Sequence, residues 1–341
     1  MSTQAGTQQR WKQRPPGSNW GDFGPDDELG RLNLLTDERR LAAIQEVKEG
    51  KVFILSLPLD FPGDGTEEGA ARHPPRLYSN PSPMGEGHMC NASMTENDIC
   101  CDDSVDLTLQ YSTQWDALVH WGRQFDSQGD GKKQPTYYNG YRAGVEVLCG
   151  DETKGPFAHK MGIEKMAETG VQGRGVLVNL VKAYGSGRTW ITHDMLMKAM
   201  DDQGVEVREG DMLLLYTGYC DAVMAMNKQP DDAKLAEAGA VLDGNDEKLL
   251  DWIDSSGISV LIADNQAVEG FATDLSAGPN GLLPLHDRCL FKLGIHLGEY
   301  FWLKELAEHL DNVGRHAFLL TAPPLRLPGA AGSPATPVAT V

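Results

Sequence analysis

The sequence predicts an α/β fold, with one large domain over residues 36–341 and an N-terminal arm over residues 1–35. Three observations carry this. Short apolar runs such as Met212 to Tyr216 and Ile258 to Ala263 have the length of strands buried on both faces. Capped segments of helical length lie between such runs, so strands and helices alternate through the second half of the chain. No shift of composition divides the 341 residues, a length that can bury a sizeable core.

Taken in order, residues 1–35 are polar and rich in Gly and Pro, and read as an arm draped over a neighbour or another part of the fold. Thr36 caps a helix with Asp37 and Glu38 in its first turn, an apolar stripe of Leu41, Ile44 and Val47, and a Gly50 stop. Val52 to Leu57 reads as a buried strand. Residues 59–104 lack periodicity, and a stretch of that length inside a globular chain is expected to be a lid or an oligomer contact. Val105, Leu107, Leu109 and Tyr111 then alternate with Asp106, Thr108 and Gln110, the pattern of a half-buried strand. Val176 to Leu180 is the next strand, and Thr192 caps a helix that ends near Gly204. Helices are expected over 231–240 and 245–255, a short one after Pro284 and another over 302–311, before a last strand at Ala317 to Thr321. The tail after Thr321 is irregular, yet too apolar to hang free, and should pack back on the fold.

Composition excludes several function classes. The net charge of −19 without a basic stripe makes nucleic acid and anionic membranes poor partners, and leaves a small-molecule substrate as the expected one. The longest apolar runs are far too short to span a bilayer, and the opening segment lacks the apolar region of a secretory signal, so the expected compartment is the cytoplasm. None of the six cysteines sits in a C-x-x-C spacing, and Cys100 and Cys101 read as reduced thiols. Asp126-Ser-Gln-Gly-Asp130-Gly131 imitates the start of a calcium loop, but its twelfth position is Tyr137, so a tight acidic turn is expected. Nucleophile-elbow, P-loop and dinucleotide motifs are lacking.

The chemistry concentrates in Gln110-Tyr-Ser-Thr-Gln114-Trp-Asp116-Ala-Leu-Val-His120, whose four spaced polar groups can all donate to a cation. In an extended strand Gln110, Gln114 and Asp116 share a face. Four extended residues nevertheless span roughly 13 Å, so Gln110 could share an ion with Gln114 only if the chain bends around Ser112-Thr113, whereas Gln114 and Asp116 are near enough without a turn. A second piece is His286, with Glu299 thirteen residues on; a short helix, a Gly294 stop and an extended return between them could bring the two together. Each residue has an ordinary reading as well: glutamines capping backbone, Asp116 a surface acid, His120 a packed histidine, His286 a helix start. Trp115, Trp121 and Phe125 could line a pocket for a planar ring, or simply pack in the core. The turn Asp264 to Glu269 after a buried strand could offer polar groups to the pocket or cap a helix.

The spacing of these four residues resembles His-x-x-x-His-x-Asp-x-x-x-His, the motif of the cyclase superfamily, which includes bacterial kynurenine formamidase and isatin hydrolase. Gln110 and Gln114 stand in place of its first two histidines, Ser112 in place of Gly and Leu118 in place of Pro, a variant similar to that of trans-dienelactone hydrolase. His286 and Glu299 resemble the distal metal-binding pair, and the segments from Gly173, Gly210 and Gly332 are also similar, so the resemblance runs from about Trp20 to the C-terminus. It implies a swivelling β/β/α fold with a β-barrel-like core, a homo-oligomer (dimer or tetramer), and a metal site. Asp116, His120, His286 and Glu299 would hold one Zn²⁺ or Mn²⁺ tightly. Gln110, Gln114 and Asp116 would form a weak second site, or the glutamines would hydrogen-bond the substrate. The implied activity is metal-dependent hydrolysis of a small amide, lactone or imide, with Asp116 and His120 moving the proton and the glutamines favouring a lactone. N-formylkynurenine hydrolysis, or a binding protein without catalysis, are the alternatives.

Overall fold

Strand runs covered on both faces build the centre of the molecule. A computed structural model describes residues 9–64, 72–84, 87–148, 157–271 and 281–341. Nine strands form one strongly curled, half-barrel sheet. In chain order they are β1 (Val52–Ile54), β2 (Gln114–Asp116), β3 (Gln172–Asn179), β4 (Met212–Tyr216), β5 (Val260–Ala263), β6 (His296–Glu299), β7 (Ala317–Thr321), β8 (Gly332–Pro334) and β9 (Val338–Thr340). Across the sheet the order is β1-β9-β7-β3-β4-β5-β6-β2-β8. The central run β3 to β6 is parallel and the flanking pairs are antiparallel. Every residue of β4 and β5 is buried, as befits parallel strands with both faces covered. Helices α1 (Asp37–Ile44), α2 (His193–Gln203), α3 (Glu247–Ser256) and α4 (Lys304–Val313) accompany the sheet. Among the described residues no helix is long and apolar enough to cross a membrane.

Several local expectations are corrected. The Thr36 side chain does cap α1, accepting from the Arg39 N–H, but Leu41 and Ile44 are 65% and 46% exposed. The buried residue of α1 is Ala43, whose small side chain lets this two-turn helix lie close against β3. Val52 and Ile54 are exposed with Phe53 buried between them, because β1 is an edge strand paired only with β9. The alternating run at 105–111 is not a strand. Pairing ends at Asp106, in a ribbon of Asp103–Asp106 with Arg76–Ser79, and the chain turns through 109–113 to enter β2. The helix expected over 231–240 covers only Asp232–Ala236, and Ala240–Leu242 pairs in parallel with Thr189–Ile191. The tail packs back as expected, but as two strands, β8 and β9.

Two features position the site. β2 lies between β6 and β8, with Gln114 opposite Glu299 and Asp116 opposite Gly332. The chain before α1 clamps the turn 287–294: the Trp20 indole donates to the Phe291 carbonyl at 2.7 Å, and the Arg31 N–H to the Gly294 carbonyl at 2.8 Å. Gly30 and Gly294 meet backbone to backbone there, and a Cβ on Gly30 would stand 2.1 Å from the Gly294 oxygen. Residues 126–131 form the acidic turn, with the Asp126 carboxylate accepting from the N–H groups of Gly129, Asp130 and Gly131. Cys90, Cys100, Cys101, Cys220 and Cys289 are free, while Cys149, like residues 65–71 and 85–86 of the aperiodic stretch, lies outside the described residues.

Candidate metal centre

The centre is assembled from three pieces of chain. β2 ends at Asp116, and a turn closed by His120 N–H to Ala117 O (2.8 Å) carries His120 back over it, anchored by buried Leu118 and Val119. His120 Nε2 is thereby 3.8 Å from Asp116 Oδ1. Pro284 at the first position of its short helix presets the backbone that presents His286. His286 Nε2 lies 4.0 Å from Asp116 Oδ2 and 3.8 Å from Glu299 Oε1. Glu299 enters from β6, and the Gln114 amide donates to its Oε2 at 3.1 Å.

Asp116, His120 and His286 each offer an atom within 4.8 Å of the others. Asp116 and Gln114 are buried, yet neither Asp116 oxygen nor Gln114 Oε1 has a hydrogen-bond partner among the described residues. Unsatisfied buried acceptors cost free energy and are rare in folded chains. A cation would satisfy them. The separations of 3.8 and 4.0 Å from Asp116 to the two histidines are too long for hydrogen bonds but suit two ligands each about 2 Å from a shared ion. The donor set, two imidazole nitrogens and a carboxylate with a second carboxylate adjoining, fits a divalent cation.

Burial and neighbouring charges set the electrostatics of the centre. Burial pushes Asp116 up to about 6, against the opposing charges of His286 and Arg72. Burial, with Asp116 close by, raises Glu299 to about 7. Burial and the neighbouring His286 lower His120 to about 4, leaving its ring neutral and its lone pair available. For His286, burial works against protonation, but the Glu269 hydrogen bond and the charges of Glu269, Glu299 and Asp116 outweigh it and move the pKa upward.

The candidates from the sequence thus divide. Asp116, His120 and His286 converge; Glu299 and Gln114 adjoin them as a hydrogen-bonded pair. Gln110 has its amide over Gly332, the cross-strand partner of Asp116, where an added Cβ would come 2.5 Å from Nε2. Trp115 is core, fully buried and edge-on to Phe301, and Phe125 packs on Trp20 and Phe291, while Trp121 meets the His286 ring at 5.5 Å.

Two residues gain weight. Glu269 does both things the sequence allowed its turn. Its carboxylate accepts from the N–H groups of Leu285 and His286 at 2.9 Å each, capping their helix, and from His286 Nδ1 at 2.8 Å. That last bond turns Nε2 towards Asp116, the way a second carboxylate commonly fixes a ligating histidine. Ala267, Val268 and Tyr300 hold positive φ (66°, 61° and 56°) beside Glu269 and Glu299, strain of the kind concentrated at functional sites. Asp264, by contrast, is committed to the fold, accepting from Thr217 N, Thr217 Oγ1 and Gly218 N. Arg72, unnoticed in the sequence, donates to the Gln110 carbonyl at 3.0 Å and sets a positive charge near Asp116 and His120.

Comparison with known proteins places these residues in context. The family model named Cyclase matches residues 45–270. A crystal structure described as a novel cyclase is 31% identical, with a TM-score of 0.75 over 95% of this chain and 99% of its own. Isatin hydrolase A from Labrenzia aggregata, bound to benzyl benzoate, is 14% identical (TM-score 0.53; 90% of this chain, 99% of that one). The isatin hydrolase A of Ralstonia solanacearum is likewise 14% identical (TM-score 0.51; 89% and 97%), and both share the fold. Among curated proteins none matches the sequence.

Proposed function

The chain belongs to the cyclase family, and from that premise we propose that it is a metal-dependent hydrolase of a small amide, lactone or imide. The observation that carries this reading is the pair of buried Asp116 oxygens that face His120 and His286 and have no hydrogen-bond partner among the described residues. Asp116, His120 and His286 would hold one Zn²⁺ or Mn²⁺, with Glu299 at its edge. When bound, the ion supplies Lewis acidity, polarising a carbonyl and bringing the pKa of water towards about 7.

The chain's own residues do the rest. Glu269 fixes the His286 ring through Nδ1, so that Nε2 stays directed at Asp116. Asp116 and His120 were the sequence's candidates for proton transfer; as holders of the ion they are poorer bases, and we assign that role to Glu299. Its carboxylate, 3.8 Å from His286 Nε2 and held by the Gln114 amide, can take a proton from the attacking water and return it to the leaving nitrogen or oxygen. Gln114, bonded to Glu299, keeps that carboxylate aimed at the centre. The preference for a lactone over a formamide rests on the Gln110–Gln114 motif variant alone.

The test is metal content per chain, by plasma mass spectrometry, on protein purified without chelator or histidine tag. Wild type should carry near-stoichiometric zinc or manganese, His286→Ala should lose it, and Glu299→Gln should retain most of it while kcat falls about 10²–10⁴-fold. A wild type that is empty and takes up neither metal on dialysis would overturn the hydrolase and leave a binding protein on this fold.

A further inference from the structure

We propose that the open groove beside Gln110 seats an apolar arm of the substrate, so that the substrate class is an amide or ester carrying an alkyl or aryl chain. This rests on the hydrolase reading and adds the part of the substrate that does not react. The groove is open, with a volume of about 450 Å³, and is lined by Leu109, Gln110, Phe157, Leu327, Pro328 and Ala331 among others, with Gln110 as the only polar side chain among the described residues that line it. That volume lies within the range of about 300–1,000 Å³ typical of ligand sites. Single exposed apolar side chains need no explanation. Phe157 and Leu327, about 40% and 39% exposed, instead share one concavity, and apolar clusters of that kind mark binding surfaces.

Its far wall is held in place by backbone: Ala158 N–H to Gly329 O and Ile163 N–H to Ala330 O, both 2.9 Å. The Gly329 N–H also donates to Glu164 Oε2 at 2.9 Å. The same wall is tied to the centre, because Ala117 N–H, directly after Asp116, donates to Ala331 O at 3.0 Å. Gln110 joins the two regions. Its amide rests on Gly332, the cross-strand partner of Asp116, and residues so paired project to one face of the sheet. A chain lying in the groove therefore has its head past Gln110, on the face that carries Asp116. A groove whose described lining is carbon and one neutral amide favours hydrocarbon.

The test uses a series of acyl anilides from acetyl to hexanoyl on the metal-loaded protein, read by kcat/KM and, independently of turnover, by the melting-temperature shift each compound produces. Both should grow with chain length, kcat/KM by about two- to four-fold per methylene through KM. Phe157→Ser and Leu327→Asn, at partly exposed positions that the fold tolerates, should flatten both trends. Turnover with no length dependence in either measurement would overturn the groove and leave the hydrolase standing. Length-dependent binding without turnover of any member would sink the hydrolase reading and leave the groove standing. Length-independent binding, with Phe157→Ser changing the oligomeric state on gel filtration, would make the groove a contact between copies and refute the proposal.

Discussion

Glu269 holds the metal centre together from outside it. One oxygen accepts both the backbone N–H and Nδ1 of His286, the other the Leu285 N–H, so three of the four lone-pair directions are used. Glu269→Gln keeps the shape but sets an NH₂ against one of those donors. It should lower metal affinity about 10–100-fold and cost about 1–3 kcal/mol of stability, measured by chelator competition and denaturant unfolding. Unchanged affinity would mean that Glu269 only caps the helix. The residues that spacing could reveal were those whose pattern survives in sequence: Gln114, Asp116 and His120 within one short run, and His286 and Glu299 thirteen apart. Glu269 and Arg72 carry no such pattern. Their partners are 17 and 38 residues away, and only the folded chain brings them together.

At the scale of elements, legibility followed burial. β4 and β7 occupy the very spans their apolar runs marked, Met212–Tyr216 and Ala317–Thr321. Misreadings fell where an apolar run met solvent or where pairing came from afar: the exposed stripe of α1, edge strand β1, and the short tail strands, β8 ending at Pro334 and β9 clipped to three residues. The Gly294 stop was legible, but its reason was not: Gly294 has positive φ (61°) and its Cα lies against Gly30, so neither position has room for a side chain. Gly30→Ala must therefore push the N-terminal segment off the turn that follows His286. Expected are a loss of about 2 kcal/mol or more in denaturant unfolding and faster proteolytic cleavage within residues 9–35. An intact segment with an unaltered midpoint would show that the contact adjusts at no cost.

For the whole molecule, an α/β class was readable from alternating runs. The curl of the sheet was not, because β2 enters between strands formed from the last 46 residues, and nothing local in a three-residue strand announces such partners. The curl also buries groups that ordinarily meet water, and global stability then depends on their protonation. His296, in β6, shows the sign. Burial alone takes it down to about 3, and its Nδ1 has no partner among the described residues. The folded chain keeps the ring neutral, whereas the unfolded chain protonates it near about 6.5. Below that pH the unfolded state binds more protons, so stability falls as pH falls. The contribution is complete above about 6.5 and drains away at about 1.4 kcal/mol per pH unit until the folded pKa is reached. Between pH 7 and 5 this amounts to about 2 kcal/mol. His296→Leu, similar in volume and unable to titrate, should lose that much less than wild type over the same interval, in urea unfolding with chelator present throughout so that the metal centre contributes equally to both. Parallel losses would show that water or a proton already reaches His296 in the folded chain, and that the curled sheet does not seal β6.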